Sequence, residues 1–208
     1  TKESVLSMAQ GARGGMIQAV SRFITAQPEF SRATKMCDLA GSTGHYSDEF
    51  IKHNLHLEAH VFDLPEVVEI AKELKMNTAR IKYHPCDVQK WEDFGTGYDL
   101  FFISHFLYEY GFNGELPRFL KKVNRAMVKD GLLISNHIGS EIPDGDELTM
   151  KMVELLTKCV GYPTHKLPQE LLEKSLIEAG FDNIVVEKPI TGPAYPTLKV
   201  AARKVKEV

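Results

Sequence analysis

The sequence predicts one α/β domain whose mostly parallel β-sheet ends in an antiparallel β-hairpin. Short apolar runs alternate with longer segments of helical periodicity, and each run is nearly continuously apolar, as in strands covered on both faces. The last two β-like runs are joined without a helix, and a parallel neighbour would need a crossover of a dozen or more residues. The five earlier runs lie at residues 35–39, 59–62, 80–83, 98–103 and 131–135.

The composition is that of an ordinary folded domain. The chain has 208 residues, of which 43% are hydrophobic and 25% charged, with a net charge of −3. This balance gives no electrostatic case for nucleic acid or for a membrane surface, and no apolar run approaches the roughly 20 residues of a membrane span. Three widely spaced cysteines without a CxxC pair indicate reduced thiols and a cytoplasmic location. The first residue is Thr, which indicates a processed chain or a piece of a longer one.

Helical periodicity marks the segments between and after the strands. We expect helices with buried apolar stripes over residues 116–127, 148–159 and 168–180. The second stripe comprises Leu148, Met152, Leu155, Leu156 and Cys159, and the third comprises Leu171, Leu172, Leu176 and Ala179. Residues 4–26 form an amphipathic segment weakened by three glycines, each costing about 1 kcal/mol in a helix. This segment either lies close to a ligand or is a simple lead-in helix. In both cases it precedes the first strand, and we assign residues 1–30 to a lead-in segment and 31–208 to the main domain.

A glycine-containing turn follows the first strand directly, in the segment Asp38–Gly44 (DLAGSTG). Ligands of open parallel sheets bind at this edge, where Gly41 lets the backbone approach a ligand and Gly44 lets the next helix pack closely. A dinucleotide site requires GxGxxG, which is absent, and Asp38 would repel a phosphate. A carboxylate here suits a cationic amino acid, and S-adenosylmethionine carries an ammonium and a sulfonium but no phosphate. The turn therefore favours S-adenosylmethionine.

Two further acids follow the next two strands. Asp63 comes 19 residues after Gly44, where a carboxylate can accept both ribose hydroxyls. Asp87 can accept from an adenine amino group, and Val88 can pack on the ring. A single acid at a strand end is usually a helix N-cap, and Asp63 before Leu64 is open to that interpretation. Three acids at successive strand ends favour a ligand site.

These segments resemble the class I S-adenosylmethionine-dependent methyltransferases. More narrowly, they resemble the small-molecule O-methyltransferases that include plant caffeate and flavonoid enzymes and bacterial tailoring enzymes. The segments concerned are Asp38–Gly44, Phe62–Val68 (FDLPEVV), Asp87, Asp99–Tyr110 (DLFFISHFLYEY) and Glu178–Phe181 (EAGF). The resemblance implies a Rossmann-like sheet of order 3-2-1-4-5-7-6 with strand 7 antiparallel. It also implies cofactor contacts from Asp38, Ala40, Gly41, Ser42, Gly44, Asp63, Leu64, Asp87, Val88 and Ser104, the last standing where the family often has Lys.

The resemblance covers only the catalytic domain of that family. The usual N-terminal winged-helix dimerisation domain, which helps to close the substrate pocket, is absent from this sequence, and residues 4–26 match the linker helix that follows it. A homodimer in a longer full-length chain is left open.

The catalytic apparatus departs from the family pattern. Methylating a hydroxyl requires a positioned base, and the family supplies a His where this chain has Tyr108. Tyr has a reference pKa near 10 and is a poor base at neutral pH. Asn136 replaces one supporting acid, and the other position falls near His165–Lys166. The candidate catalytic residues are therefore Tyr108, His105 and His137, with His165 also near this edge. No His pair with metal-ligand spacing of the HxxxH kind lies on a catalytic face, so we expect no metal.

The sequence leaves three functions open. The first is methylation of a small hydroxylated or aromatic molecule, with O-methylation favoured. An aromatic substrate is suggested by Phe106, Tyr108, Tyr110, Phe112, Tyr162, Met150 and Met152, although core packing is the usual role of methionines. The alternatives are C-methylation within the same family and S-adenosylmethionine binding without turnover. Methylation of nucleic acid bases is disfavoured, because the segment Ile103–Phe106 lacks the Asn/Asp-Pro-Pro-aromatic element.

Overall fold

The computed structural model describes residues 2–74, 79–90, 95–159 and 166–208. Its centre is a seven-stranded sheet of order β3-β2-β1-β4-β5-β7-β6. The strands are β1 Lys35–Leu39, β2 Glu58–Asp63, β3 Ile81–Pro85, β4 Tyr98–Ser104, β5 Met127–His137, β6 Phe181–Glu187 and β7 Leu198–Lys204. Strands β1 to β5 pair in parallel, whereas β7 is antiparallel to both β5 and β6. The predicted sheet order and the terminal hairpin are both confirmed.

Helices cover both faces of this sheet. They are α1 Lys2–Ala12, α2 Met16–Thr25, α3 His45–His53, α4 Pro65–Glu73, α5 Tyr108–Asn113, α6 Leu116–Ala126, α7 Glu147–Cys159 and α8 Gln169–Glu178, with a 3-10 turn at Phe30–Arg32. None of these described helices has the length and apolar character needed to cross a membrane.

The sheet separates two buried clusters. On one face, Leu39, Phe101 and Leu133 pack with residues of α6 and α8. On the other face, the cluster includes Met36, Phe102 and Ile134 together with residues of α2 and α3. The predicted stripe of α6 is confirmed, since Leu116, Phe119, Leu120, Val123 and Ala126 are all buried. Because apolar strand residues alternate between the faces, successive side chains of β4 reach different helices.

The predicted burial of the α7 stripe is wrong. Leu148 is 70% exposed, Met152 56%, Leu155 62% and Leu156 63%, and Cys159 is also exposed, whereas Met150 is buried. Leu171 of α8 is likewise 37% exposed, although Leu172, Leu176 and Ala179 are buried as predicted. Periodicity correctly identifies an apolar helix face, but it carries no information about whether another element of the chain covers that face.

The N-terminal segment is two helices instead of one. Gly15, with a φ of 90°, lies between α1 and α2 and allows the chain to reverse. The turn packs against the loop that joins β6 to β7: the Ala194 amide donates to the Gly14 carbonyl at 2.8 Å, and a Cβ on Gly15 would lie 3.5 Å from Pro193 Cα. The positive φ of Gly15 therefore requires a glycine for the turn, whereas the contact with the β6–β7 loop leaves room for a Cβ. The division of the chain at residue 30 stays a prediction.

Candidate active site

The turn after β1 is built from residues with left-handed backbone conformations. Ala40 has a φ of 54°, Ser42 of 52° and Gly44 of 77°. A Cβ on Gly41 would lie 2.5 Å from Asp38 Cγ, so only glycine fits there beside the carboxyl group. Ala and Ser each pay roughly 1 kcal/mol for a left-handed conformation, so packing around the turn must hold this shape.

Asp38 lies at the end of β1 with its side chain almost completely buried. It is 1% exposed, and one carboxyl oxygen accepts a 2.6 Å hydrogen bond from Ser47 Oγ of α3. Burial raises the pKa of Asp38 to about 7, although the Ser47 hydrogen bond works in the opposite direction. The carboxyl group therefore changes its charge near neutral pH.

Asp63 connects the turn after β1 to the start of α4. Its Oδ2 accepts from the Ser42 amide at 2.7 Å, and its Oδ1 accepts from the Leu64 amide at 2.8 Å. The N-cap position of α4 is Leu64 and has no side-chain cap, so Asp63 is not the N-cap of that helix. Burial raises the pKa of Asp63, whereas the two backbone amides lower it.

The residues after β3 lie in two different environments. Val88 is buried in the cluster that includes Leu39 and Phe62. The Asp87 carboxylate instead pairs with Lys90 at 2.8 Å and accepts from the Gln89 amide at 3.1 Å. The hydrogen bond from Lys90 lowers the pKa of Asp87.

The α1–α2 turn also contacts the glycine turn. Arg13 Nη2 lies 2.9 Å from His45 Nε2, and the other ring nitrogen of His45 hydrogen-bonds with Thr43 Oγ1. Burial lowers the pKa of His45, and the positive charge of Arg13 lowers it further. This contact ties the N-terminal segment to the first helix after the turn.

A set of hydrogen-bonded polar side chains, separate from the glycine turn, lies at the end of β4. Asn136 Nδ2 of β5 donates to Ser104 Oγ at 3.0 Å, and Ser104 also hydrogen-bonds with the hydroxyl of Tyr46. The Asn136 side chain is completely buried, and its Oδ1 has no hydrogen-bond partner among the described residues.

The third polar group joins the candidate catalytic residues. The Ile138 amide donates to the Tyr108 hydroxyl, which lies 2.9 Å from His105 Nδ1. His105 Nε2 in turn lies 3.3 Å from the hydroxyl of Tyr195, in the β6–β7 loop. Burial lowers the pKa of His105 to about 4, so its ring is neutral at physiological pH.

His137 lies beside this group on β5. Its ring centroid is 6.3 Å from that of Tyr108, and its Nδ1 is 3.0 Å from Ser135 Oγ. The side chain is 1% exposed, and Nε2 makes no hydrogen bond of good geometry among the described residues. Burial lowers the pKa of His137 to about 3.

Comparison with known proteins identifies the family. Residues 5–182 match the family model described as an O-methyltransferase domain. The chain belongs to this family. An uncharacterised protein of Methanocaldococcus jannaschii is 34% identical over 145 residues, which make up 69% of this chain and 37% of that protein.

Solved structures show the same fold. Human N-acetylserotonin methyltransferase in complex with SAM (S-adenosylmethionine) has a TM-score of 0.75 and 23% identity, over 99% of this chain and 57% of that one. PigF with SAH (S-adenosylhomocysteine) has a TM-score of 0.73 and 19% identity, over 98% of this chain and 60% of that one. Mitomycin 7-O-methyltransferase MmcR has a TM-score of 0.69 and 22% identity, over 93% and 56%. The chain thus spans 37% of the length of its curated relative and little more than half of these solved chains.

This O-methyltransferase domain brings most of the predicted site residues to one edge of the sheet. The turn residues, Asp63, Leu64 and Val88 lie at or just after the ends of β1, β2 and β3. Ser104 and His137 are the last residues of β4 and β5, and His105 and Tyr108 follow β4. Asp87 lies next to Val88 but pairs with Lys90, so its contact with adenine stays a prediction. His165 and Tyr162 lie outside the described residues.

Two contributors to this edge were not predicted from the sequence. Tyr195 lies between Pro193 and Pro196 in a loop whose only sequence signal is its turn-forming composition. Arg13 lies in a segment that looks like a plain amphipathic helix. The available signal for the first was the glycine-containing turn of residues 11–15, whose Gly14 carbonyl accepts from the Ala194 amide next to Tyr195.

Proposed function

We propose that this O-methyltransferase domain binds S-adenosylmethionine and transfers its methyl group to a small hydroxylated or aromatic molecule. The observation that carries the proposal is the pair of carboxyl groups at the glycine turn: Asp38 is buried within it, and the half-buried Asp63 accepts a hydrogen bond from its Ser42 amide. When bound, S-adenosylmethionine supplies an electrophilic methyl group on a sulfonium centre.

The residues of the turn suit this cofactor better than a phosphorylated nucleotide. Asp38 would lie near the ammonium of the methionine part, where its negative charge is favourable. Each oxygen of Asp63 already accepts one backbone amide, and a carboxylate oxygen can accept a second hydrogen bond, here from a ribose hydroxyl. The buried hydroxyl oxygen of Ser42 has no partner among the described residues and is free for the ligand. Two carboxylates would repel a pyrophosphate in the same position.

The acceptor side favours a flat, uncharged or anionic substrate. Half-buried aromatic rings of Phe106, Tyr108 and Tyr110 lie just after β4, and Tyr110 stacks on Phe119 with centroids 4.1 Å apart. His105 is held neutral by burial, so its imidazole adds no fixed positive charge to this side. We therefore favour a phenolic or enolic oxygen as the methyl acceptor, with a ring carbon as the alternative.

One observation favours binding without turnover. The residue at the family's base position, Tyr108, has its hydroxyl engaged by the Ile138 amide and by His105, and burial raises its pKa well above 10. Such a hydroxyl cannot act as a base at neutral pH. A non-catalytic S-adenosylmethionine-binding protein is therefore the second candidate.

Calorimetry and a turnover screen separate these functions. We expect micromolar binding of S-adenosylhomocysteine, and we expect Asp63→Ala to weaken it at least tenfold. Incubation with S-adenosylmethionine and a panel of small phenols should release S-adenosylhomocysteine. Binding without any release would favour the non-catalytic candidate, and an absence of binding would refute the proposal. A homodimer in a longer chain, an aromatic substrate and a cytoplasmic location stay predictions.

A further inference from the structure

The two partners of the Tyr108 hydroxyl indicate the direction of the hydrogen bonds that run through His105. The Ile138 N–H can only donate, so the oxygen of Tyr108 accepts from it. The structure gives the Tyr108 hydroxyl proton no other acceptor among the described residues, so the hydroxyl donates to His105 Nδ1, 2.9 Å away. A neutral imidazole that accepts at Nδ1 carries its proton on Nε2. His105 Nε2–H therefore donates to the Tyr195 oxygen, 3.3 Å away.

The chain of hydrogen bonds ends at the Tyr195 hydroxyl. Its oxygen accepts from His105, and its own proton has no acceptor among the described residues. Burial raises the pKa of both Tyr46 and Tyr108, and electrostatic interaction with Tyr195 raises each further. Tyr195 thus brings a hydrogen-bond donor to the edge where β4 and β5 end.

Two contacts hold Tyr195 in this place. The neighbouring Ala194 amide donates to the Gly14 carbonyl at 2.8 Å, and the Tyr195 ring centroid is 5.7 Å from that of His105. His105 itself has a left-handed φ of 54°, and its amide donates to the Asn136 carbonyl at 2.8 Å. A residue held in a left-handed conformation by such contacts is typical of a functional site, where the direction of its side chain is important.

We propose that Tyr195 is a substrate-anchoring residue, whose hydroxyl donates a hydrogen bond to an anionic oxygen of the methyl acceptor, and that His105 and Tyr108 are positioning residues that set its direction. This rests on the proposed function and adds the substrate class, an acidic phenol or an enol that reacts as its anion.

The same geometry explains how methylation proceeds without a general base. The lone pair of His105 Nδ1 is occupied by Tyr108, so His105 has no free nitrogen to take a proton. An acceptor already present as its anion has no proton to lose. Its oxygen forms a bond to the methyl carbon while the carbon–sulfur bond breaks, and the electron pair of that bond goes to sulfur. The hydrogen bond from Tyr195 increases the anionic fraction of the bound acceptor, because it stabilises the charged form.

The first test measures the tautomer of His105 and needs no substrate. Long-range proton–nitrogen NMR at neutral pH, with the signal assigned through its loss in His105→Asn, should show a proton on Nε2 and none on Nδ1. In Tyr108→Phe the donor to Nδ1 is removed, so a population with Nδ1 protonated should appear. A protonated Nδ1 in the unaltered protein would overturn the proposed direction.

The second test uses 4-nitrophenol as the probe, because it is largely ionised slightly above neutral pH and its absorbance reports binding. With the protein saturated by S-adenosylhomocysteine, we expect Tyr195→Phe to bind the nitrophenolate about tenfold more weakly, since a hydrogen bond to a charged group is lost. The matched control is Tyr98→Phe, which removes a buried hydroxyl at the opposite end of β4 and should bind as the unaltered protein does.

The outcomes distinguish this inference from the proposed function. Equal affinity in Tyr195→Phe, or no nitrophenolate binding by a protein that does bind S-adenosylhomocysteine, would overturn the anchoring role alone. Failure of the unaltered protein to bind S-adenosylhomocysteine would overturn the proposed function, and the tautomer measurement would still decide the direction of the hydrogen-bond chain.

Discussion

Ser47 Oγ donates a 2.6 Å hydrogen bond to the Asp38 carboxylate, and this contact joins the end of β1 to the first helix after the glycine turn. It is the local interaction that favours the charged form of a carboxyl group otherwise strongly disfavoured by burial. The charge at the candidate cofactor site therefore depends on a balance between one hydroxyl group and desolvation.

This balance predicts a pH-dependent affinity. With a pKa of about 7, Asp38 is mostly protonated at pH 6 and mostly ionised at pH 8, and only the ionised form attracts the ligand's ammonium. We expect S-adenosylhomocysteine to bind about tenfold more tightly at the higher pH, with release of a proton. Calorimetry in two buffers of different ionisation enthalpy would measure both effects. Asp38→Asn should remove the dependence over this range, and an unchanged profile in that variant would assign the titration to another group.

Removing the Ser47 hydroxyl group tests the same balance by leaving burial as the main influence on the Asp38 pKa. In Ser47→Ala, burial acts on Asp38 without its compensating hydrogen bond, so the pKa of Asp38 should rise further. The affinity profile should then move to higher pH while keeping its shape. A profile at the original position would show that the Ser47 hydrogen bond does not govern the Asp38 charge.

Acid should destabilise the domain through its buried histidines. The pKa of His137 is lowered from 6.5 to about 3, so the unfolded chain binds a proton between these values that the native state does not. Its contribution to stability is complete above pH 6.5 and is lost as the pH falls toward 3, on the order of 5 kcal/mol in all. The pH dependence of stability that Asp38 contributes has the opposite sign. Its native pKa is raised, so its stabilising effect is lost as the pH rises through 7.

The measurement is the difference between two urea titrations. Unfolding of the unaltered protein and of His137→Gln should be compared at pH 5 and pH 7, because the variant keeps a polar side chain but cannot be protonated. The unaltered protein should lose more stability between the two conditions than the variant does. Parallel losses in the two proteins would show that His137 is not the group responsible.

The strain in the glycine turn predicts a stabilising substitution. Ala40 has a φ of 54°, which costs an alanine roughly 1 kcal/mol, and glycine adopts this conformation freely. After the entropy cost of glycine in the unfolded chain, Ala40→Gly should still stabilise the domain by about 0.5 kcal/mol. Ala19→Gly, inside α2, is the control and should destabilise by about 1 kcal/mol. If Ala40→Gly and Ala19→Gly destabilised the domain to a similar extent, the inference that Ala40 is strained would be wrong.

The sequence predicted the sheet well because its signals are local. Each central strand is a buried apolar run bounded by turn residues, and the segment between β6 and β7 is too rich in proline and glycine for a crossover helix. The exposed face of α7 could not be predicted in the same way, since the periodicity of Leu148 and Leu155 reports an apolar face and not its neighbour.

The candidate site likewise has a part that the sequence predicts and a part that it does not. Asp38, Asp63 and Val88 lie at or just after the ends of neighbouring parallel strands, so topology alone brings them together. Tyr195 meets His105 across 90 residues of sequence, through a loop held by Gly14, and nothing local in either segment encodes that contact. Long-range contacts made by irregular loops are the part that the sequence pattern leaves out.

Lys204 provides a last test, of a buried charge that closes the end of α6. Its Nζ donates to the carbonyls of Asn124 and Met127, both at 2.8 Å, and pairs with Glu207 at 2.9 Å. In Lys204→Met, two buried carbonyls lose their donor at a helix C-terminus, and each unsatisfied group costs about 1–3 kcal/mol. We expect a loss of about 2–4 kcal/mol in urea unfolding, against less than about 0.5 kcal/mol for Lys206→Met, whose side chain is exposed. If the two variants unfolded at the same urea concentration, the Lys204 ammonium would contribute no more than a surface charge, and the closure of α6 would depend on packing alone.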